Sequence, residues 1–122
     1  MRSSSPSAPP TKIHLTYGEA LRILRARKGE TQAQAAVRLG VSDFAYRNFE
    51  RSTEPAAGPD VENLGDITPG ERYRVLRRRR GWGLVAFARK LDISRAWLIQ
   101  MEQGRAPTKI LAAYWDGAGA TD

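Results

Sequence analysis

The chain has no cysteine, a single histidine and no long apolar run. Without thiols, disulfides, thiolate metal sites and cysteine nucleophiles are excluded, and a reducing compartment is compatible. His14 stands alone ahead of the patterned part of the chain, so a zinc site has almost nothing to use. No cofactor and no metal are expected. No stretch approaches the roughly 20 apolar residues of a bilayer span, so no membrane partner is expected. The start, Met1–Pro10, is rich in Ser and Pro but lacks the apolar centre of a signal peptide. There is no histidine-based triad, no phosphate-binding glycine loop and no carboxylate cluster, so an enzyme finds no support.

What is present is positive charge, unevenly placed, and repetition. The 122 residues carry a formal net charge of +7. Residues 1–14 contribute +2, 15–52 +3, 53–66 −4, 67–107 +7 and 108–122 −1. A basic body interrupted by an acidic linker fits a polyanionic partner, nucleic acid first; a plain solvated surface is the alternative that charge alone leaves open.

Shifted by 52 residues without a gap, Leu15–Ser52 lies over Ile67–Gly104 with twelve identities. They are Thr16/Thr68, Gly18/Gly70, Glu19/Glu71, Arg22/Arg74, Leu24/Leu76, Arg25/Arg77, Arg27/Arg79, Gly29/Gly81, Ala36/Ala88, Leu39/Leu91, Ser42/Ser94 and Glu50/Glu102. Apolar swaps such as Ile23/Val75, Val41/Ile93, Tyr46/Leu98 and Phe49/Met101 fill many other positions. One three-helix pattern is therefore written twice. A unit of about 40 residues buries too little surface to be comfortable alone, so the repeats are expected to share a core or dock tightly.

Thr16 and Glu19 fit a capping box, as do Thr68 and Glu71, with Pro69 at the favoured first helical position. Tyr17, Leu21 and Leu24 recur at helical spacing, as do Tyr73 and Leu76. Gly29 and Gly81 stop these first helices. A second short helix follows Thr31, with Ala35, Ala36 and Leu39 on one face; Phe87, Ala88 and Leu91 are its equivalents. A bulky side chain at 36 or 88 would hold the second and third helices apart. Gly40 suits a left-handed turn, and Asp92, which replaces it, tolerates that region better than most residues. Ser42 and Ser94 cap third helices at 43–51 and 95–103. Pro107 is placed to open a last helix carrying Ile110, Leu111, Tyr114 and Trp115. These last two aromatics leave two readings open, self-association and burial against the first repeat. No segment alternates convincingly as a strand, and the expected fold is all-α.

At this point a family resemblance is plain. Arg22 through Gln32, Ala35-Ala36, Leu39-Gly40-Val41-Ser42 and Glu50 resemble the Cro/repressor-type helix-turn-helix of the XRE family. The second copy resembles it most from Leu91 to Gly104. The resemblance implies two tandem lambda-repressor-like units packed as a pseudo-dimer. It also implies a third helix of each copy in the major groove of double-stranded DNA. Mapped onto this chain, the base-reading positions are Asp43, Phe44, Arg47 and Asn48 in the first copy, and Arg95, Ala96, Trp97, Ile99 and Gln100 in the second. Arg47 or Arg95 suits guanine O6/N7, Asn48 or Gln100 suits adenine N6/N7, Phe44 or Trp97 a thymine methyl, and Asp43 cytosine N4. Burial of Phe44 and Trp97 between the repeats is the competing reading.

The family places a Gln at the first residue of the second helix on a backbone phosphate, and Gln32 matches it. The second copy departs: Gly83-Leu84 stands where Thr31-Gln32 stands. Phosphate contacts are expected from Thr31, Gln32, Ser42, Arg51, Arg78, Arg80 and Ser94. The family's structural pairing of a first-helix Arg with the Glu closing the third helix maps to Arg25–Glu50 and Arg77–Glu102. The expected organisation is a disordered tail at 1–14, a first unit at 15–52, an acidic linker at 53–66, a second unit with a C-terminal helix at 67–116 and a frayed tail at 117–122. The expected function is sequence-specific repression of transcription from an asymmetric site, by a protein in the cytoplasm associated with the nucleoid. The alternative is one copy on DNA and the other on a regulatory protein partner, in the manner of an antitoxin or a phage-encoded factor.

Overall fold

The computed structural model describes residues 13–58, 61 and 64–117. Of the tails expected at 1–14 and 117–122, residues 1–12 and 118–122 lie outside the described residues. Among the described residues, seven helices follow one another: α1 (Tyr17–Lys28), α2 (Gln32–Leu39), α3 (Asp43–Glu50), α4 (Pro69–Arg79), α5 (Leu84–Leu91), α6 (Arg95–Glu102) and α7 (Lys109–Asp116). The fold is all-α, and the chain divides into two compact units that meet in sequence between Asp66 and Ile67.

In the first unit, the Thr16 hydroxyl oxygen accepts from the Glu19 backbone N–H at 3.1 Å, while Glu19 Oε1 accepts from the Thr16 N–H at 2.9 Å. Thr31 and Gln34 make the same reciprocal box at the start of α2. Orphan donors of both helix ends are satisfied this way. The turn into α3 passes through Gly40 at φ 72°, and the Ser42 hydroxyl oxygen caps α3 by accepting from the Ala45 N–H at 3.0 Å. Leu21, Ala35, Ala36 and Tyr46 form the buried core, with Tyr17, Leu39, Val41 and Phe49 packed on it. Beyond α3 the chain returns along the start of α1. The Tyr17 N–H donates to the Glu54 carbonyl at 2.8 Å, and the Ala56 N–H to the Leu15 carbonyl at 3.1 Å. The Arg27 guanidinium donates to the carbonyls of Leu64 at 2.7 Å and Asp66 at 3.1 Å. Much of the acidic stretch is thus fastened to the first unit.

The second unit repeats α1–α3 as α4–α6 and adds α7. Thr68 and Glu71 make the capping box and Pro69 opens α4. Asp92 takes the left-handed conformation at φ 60° that Gly40 takes in the first unit. Ser94 caps α6, accepting from the Trp97 N–H at 3.0 Å. Among the six repeated helices only α5 starts without a side-chain cap, since Gly83 occupies its N-cap, and the added α7 lacks one too.

Tyr73, Phe87, Ala88, Leu98, Met101 and Leu111 form the core of this unit. The last helix begins at Lys109, two residues later than Pro107 suggests. Its aromatics Tyr114 and Trp115 are half-buried and pack on the core of their own unit. Tyr114 meets Phe87 edge-on with centroids 5.3 Å apart, and Trp115 lies 5.9 Å from Trp82. Asp116 ties the helix back to α4, accepting from the Tyr73 hydroxyl at 2.5 Å and Arg72 Nη1 at 2.9 Å. Burial first, and then this hydrogen bond, push the Tyr73 phenol up to about 12.

Candidate nucleic-acid interface

Each third helix is held at its far end by a forked arginine. Arg25 Nε donates to Glu50 Oε2 at 2.6 Å and Arg25 Nη2 to Glu50 Oε1 at 3.2 Å. Arg77 does the same to Glu102, at 2.8 and 3.1 Å. The third arm of each fork reaches the turn before the second helix, donating to the Glu30 carbonyl at 3.3 Å and the Trp82 carbonyl at 2.9 Å. One guanidinium therefore fixes three elements of its unit. Bidentate geometry makes such pairs directional as well as strong.

A second contact acts at the same place. A Cβ built on Gly18 would overlap the Glu50 carbonyl, and one on Gly70 would lie 2.5 Å from the Glu102 carbonyl. Both glycines are buried at the first turn of their helix, where the backbone crosses the close of the third helix. The repetition of Gly18 and Gly70 in the sequence is thereby explained sterically.

The two clamps differ in their surroundings. In the first unit Gln32 Nε2 also donates to Glu50 Oε1 at 3.0 Å, and Arg22 Nε stands 3.7 Å from the same oxygen. Burial works against ionising Glu50. The hydrogen bond and charge of Arg25, the nearby Tyr46 hydroxyl and the Gln32 amide outweigh it, and the carboxyl is held below the ordinary glutamate value. The Tyr46 hydroxyl acts here by proximity, since it falls outside hydrogen-bond geometry. Burial also opposes charge on Arg25, and Glu50 more than offsets it, so that guanidinium is stabilised in its charged form. In the second unit Leu84 stands in place of Gln32 and the arginine lies deeper. The side chains of Arg77 and Glu102 are 5% and 4% exposed, against 23% and 2% for Arg25 and Glu50.

With the third helices so fixed, their outer faces carry the base-reading candidates. On α3, Phe44 is 76% exposed, Arg47 and Asn48 are exposed, and Asp43 is half-buried. Asp43 Oδ2 accepts an ion pair from Arg47 Nη2 at 2.9 Å, one helical turn away. On α6, Arg95 and Ala96 are exposed, Trp97 is 44% exposed, and Ile99 and Gln100 are half-buried.

The phosphate candidates fall into two groups. Thr31, Ser42 and Ser94 sit at helix N-caps, where the hydroxyl oxygen is already an acceptor and the O–H remains to donate. Gln32 opens α2 with one amide hydrogen directed at Glu50. Arg51, Arg78 and Arg80 are exposed.

Several contributors escaped the sequence reading. Gly18 and Gly70 were visible only as identities. The Thr31–Gln34 box follows the same spacing rule that marks Thr16–Glu19 and was legible on that ground. A further pair was not. Arg38 Nε donates to both Glu30 carboxylate oxygens at 3.0 and 2.9 Å. At the equivalent positions the second unit places Lys90 Nζ 5.3 Å from the centroid of the Trp82 ring.

Three short helices wound on a shared core, with a tight turn leading into a third helix whose outer face is open, define a helix-turn-helix unit, and this chain contains two. A family model described as a helix-turn-helix domain matches residues 16–68 and again residues 70–122. The chain belongs to that family and carries its domain in tandem. Helix-turn-helix domains are DNA-binding modules. No curated protein and no solved structure shows a match to the chain. Among the described residues, no helix is long and apolar enough to cross a membrane.

Proposed function

We propose that this protein is a sequence-specific transcriptional regulator, acting as a repressor by occupying double-stranded DNA with α3 and α6 in the major groove. One observation carries the reading. The residues that hold each third helix are repeated, while the residues each third helix exposes are not: Asp43, Phe44, Arg47 and Asn48 stand opposite Arg95, Ala96, Ile99 and Gln100. A duplicated scaffold with two unlike faces suits a site with two unlike half-sites. Arg47 and Arg95 are assigned to guanine, Asn48 and Gln100 to adenine, and Phe44 and Trp97 to thymine methyl groups. Gln32, held by Glu50, is assigned to a backbone phosphate beside Thr31, Ser42 and Arg51; Ser94, Arg78 and Arg80 serve the second copy. The site of action is then the nucleoid.

Selection of binding sites from a random duplex pool tests this. Two different half-sites about one helical turn apart, roughly 10 bp, are expected. A perfect palindrome would contradict it.

A second reading has its own observation. At the start of α5, Leu84 and the 54% exposed Val85 replace Gln32 and Ala33. An apolar entrance, on a unit that also exposes Trp97, suits a protein partner for the second copy. A single half-site in the same selection, unaltered by Arg95→Ala, would favour it.

A further inference from the structure

The pair Glu30–Arg38 and its counterpart Trp82–Lys90 are the same two positions of the repeat with different chemistry. In the first unit the cation at the end of the second helix meets a carboxylate of its own chain. In the second unit the carboxylate is gone and an indole stands in its place. The Trp82 ring stacks on Phe87 at 5.3 Å and 19°, so one face is backed by the core. Two cations are drawn to this ring, Lys90 Nζ at 5.3 Å and Arg80 Cζ at 5.4 Å from its centroid; Arg80 also lies 5.5 Å from the Trp115 centroid. A shallow open pocket beside them is lined by Trp82, Ala86, Arg89 and Lys90.

A ring quadrupole attracts a cation without cancelling its charge. Among the described residues, none of Arg80, Arg89 and Lys90 has a carboxylate within ion-pair distance. Like charges gathered at one pocket repel unless an anion joins them. The first unit shows what kind of group belongs there, since Glu30 supplies two oxygens to Arg38. Here, among the described residues, the chain supplies none.

We infer that Arg80, Arg89 and Lys90 around Trp82 form an oxyanion site on the second unit, and that its ligand is a phosphate of the DNA backbone. The inference rests on the DNA-binding reading above, and adds Lys90, Arg89 and the Trp82 platform to the contacts that reading assigns. Two observations favour nucleic acid over an acidic protein. The surrounding segment 67–107 carries a net charge of +7, suited to a dense polyanion. The start of α5 also lacks the Thr-Gln donors with which α2 begins, so backbone contacts of this copy have to come from elsewhere.

The test is the salt dependence of duplex DNA binding by the full chain, for the wild type, Lys90→Ala, Arg89→Ala, Lys90→Arg and, as internal control, Arg38→Ala. Each phosphate contact removed lowers the slope of log K against log salt by about 0.9. Lys90→Ala and Arg89→Ala are expected each to lower it by up to that amount, with base preference unchanged. Lys90→Arg is expected to keep the slope, and Arg38→Ala, whose charge Glu30 already answers, to change it less than Lys90→Ala does. Thermal melting checks that each variant folds, and the Arg rescue separates lost charge from lost structure. Unchanged slopes for Lys90→Ala and Arg89→Ala in a protein that binds DNA would overturn the inference and leave the DNA-binding reading standing. So would competition by poly-glutamate that Lys90→Ala abolishes while the DNA slope stays fixed, which would assign the site to an acidic peptide. Failure of the wild type to bind any duplex would overturn both.

Discussion

At residues 25 and 77 an arginine forks onto the glutamate that closes the third helix, and at 18 and 70 a glycine lets the first helix cross that same point. At residues 47 and 99, by contrast, an arginine faces an isoleucine, and at 43 and 95 an aspartate faces an arginine. The two units of this protein therefore agree where side chains hold the backbone and disagree where side chains meet solvent. Agreement at the clamp and the glycine crossing follows from sterics and desolvation, which allow few substitutes there, whereas the cores trade size between positions, Ala35 with Tyr46 against Phe87 with Leu98. Disagreement on the exposed faces is what two separate readers require.

The clamps offer the largest test of this comparison. Removing one partner of a buried ion pair costs about 3–5 kcal/mol, because the other charge is stranded. Glu102→Ala strands Arg77, which is nearly sealed, and is expected to fall in that range. Glu50→Ala strands Arg25, which is partly open to water, and is expected to cost less. Calorimetric unfolding of the two variants gives the order; a larger loss for Glu50→Ala would break the comparison.

The glycine crossing comes next. Gly18→Ala and Gly70→Ala force backbone apart and are expected to cost about 1–3 kcal/mol each. The tighter approach at Gly18 predicts the greater loss there. A neutral result in denaturant titration at either position would remove it from the shared scaffold.

On the exposed faces, Arg47→Ala is expected to relax preference at one base by about 1–3 kcal/mol in competition binding, while Ile99→Ala at the matching position leaves hydrogen-bonded discrimination intact. Loss of affinity spread evenly over all sequences would make Arg47 a phosphate contact.

A smaller effect depends on pH: in the second unit Tyr73 stands where the first has Leu21, while in the first unit burial raises the phenol of Tyr46. The folded state favours the neutral Tyr73 phenol, raised to about 12. Its contribution is complete below the ordinary tyrosine value of about 10 and is lost as pH rises through 12. Tyr73→Phe is expected to flatten this alkaline loss of stability; an identical alkaline profile would contradict the coupling to Asp116.

The smallest difference is at the helix entrances. Thr31→Ala is expected to cost about 1 kcal/mol, and Gly83→Ser to add a few tenths of a kcal/mol, since the backbone at Gly83 is already extended and nothing crowds a new Cβ. No gain in melting temperature for Gly83→Ser would show that α5 does not need the cap.

Much of this was legible from residue order. Thr16 and Glu19 announce a capping box because the reciprocal hydrogen bonds need that spacing. Ala36 and Ala88 announce close helices because size alone matters there. The Arg25–Glu50 pairing was open to family resemblance. The glycines at 18 and 70 were visible but mute, since a repeated glycine does not say which distant carbonyl it must avoid. The exchange of Glu30–Arg38 for Trp82–Lys90 was hidden for a similar reason: each pair is eight residues apart and only the fold of the turn brings it together. Tyr114 and Trp115 were legible only as apolar, because residues of that kind announce burial without naming the surface. Here that surface is Trp82 and Phe87.

One exchange of side chains tests the central claim most directly. Grafting the α3 face onto α6 (Arg95→Asp, Ala96→Phe, Trp97→Ala, Ile99→Arg and Gln100→Asn together) should leave the clamp untouched and make the two readers alike. Site selection with this variant is predicted to return two matching half-sites where the parent returns two different ones. An unchanged selected site would mean that α6 does not read DNA, and that the second unit was duplicated for another purpose.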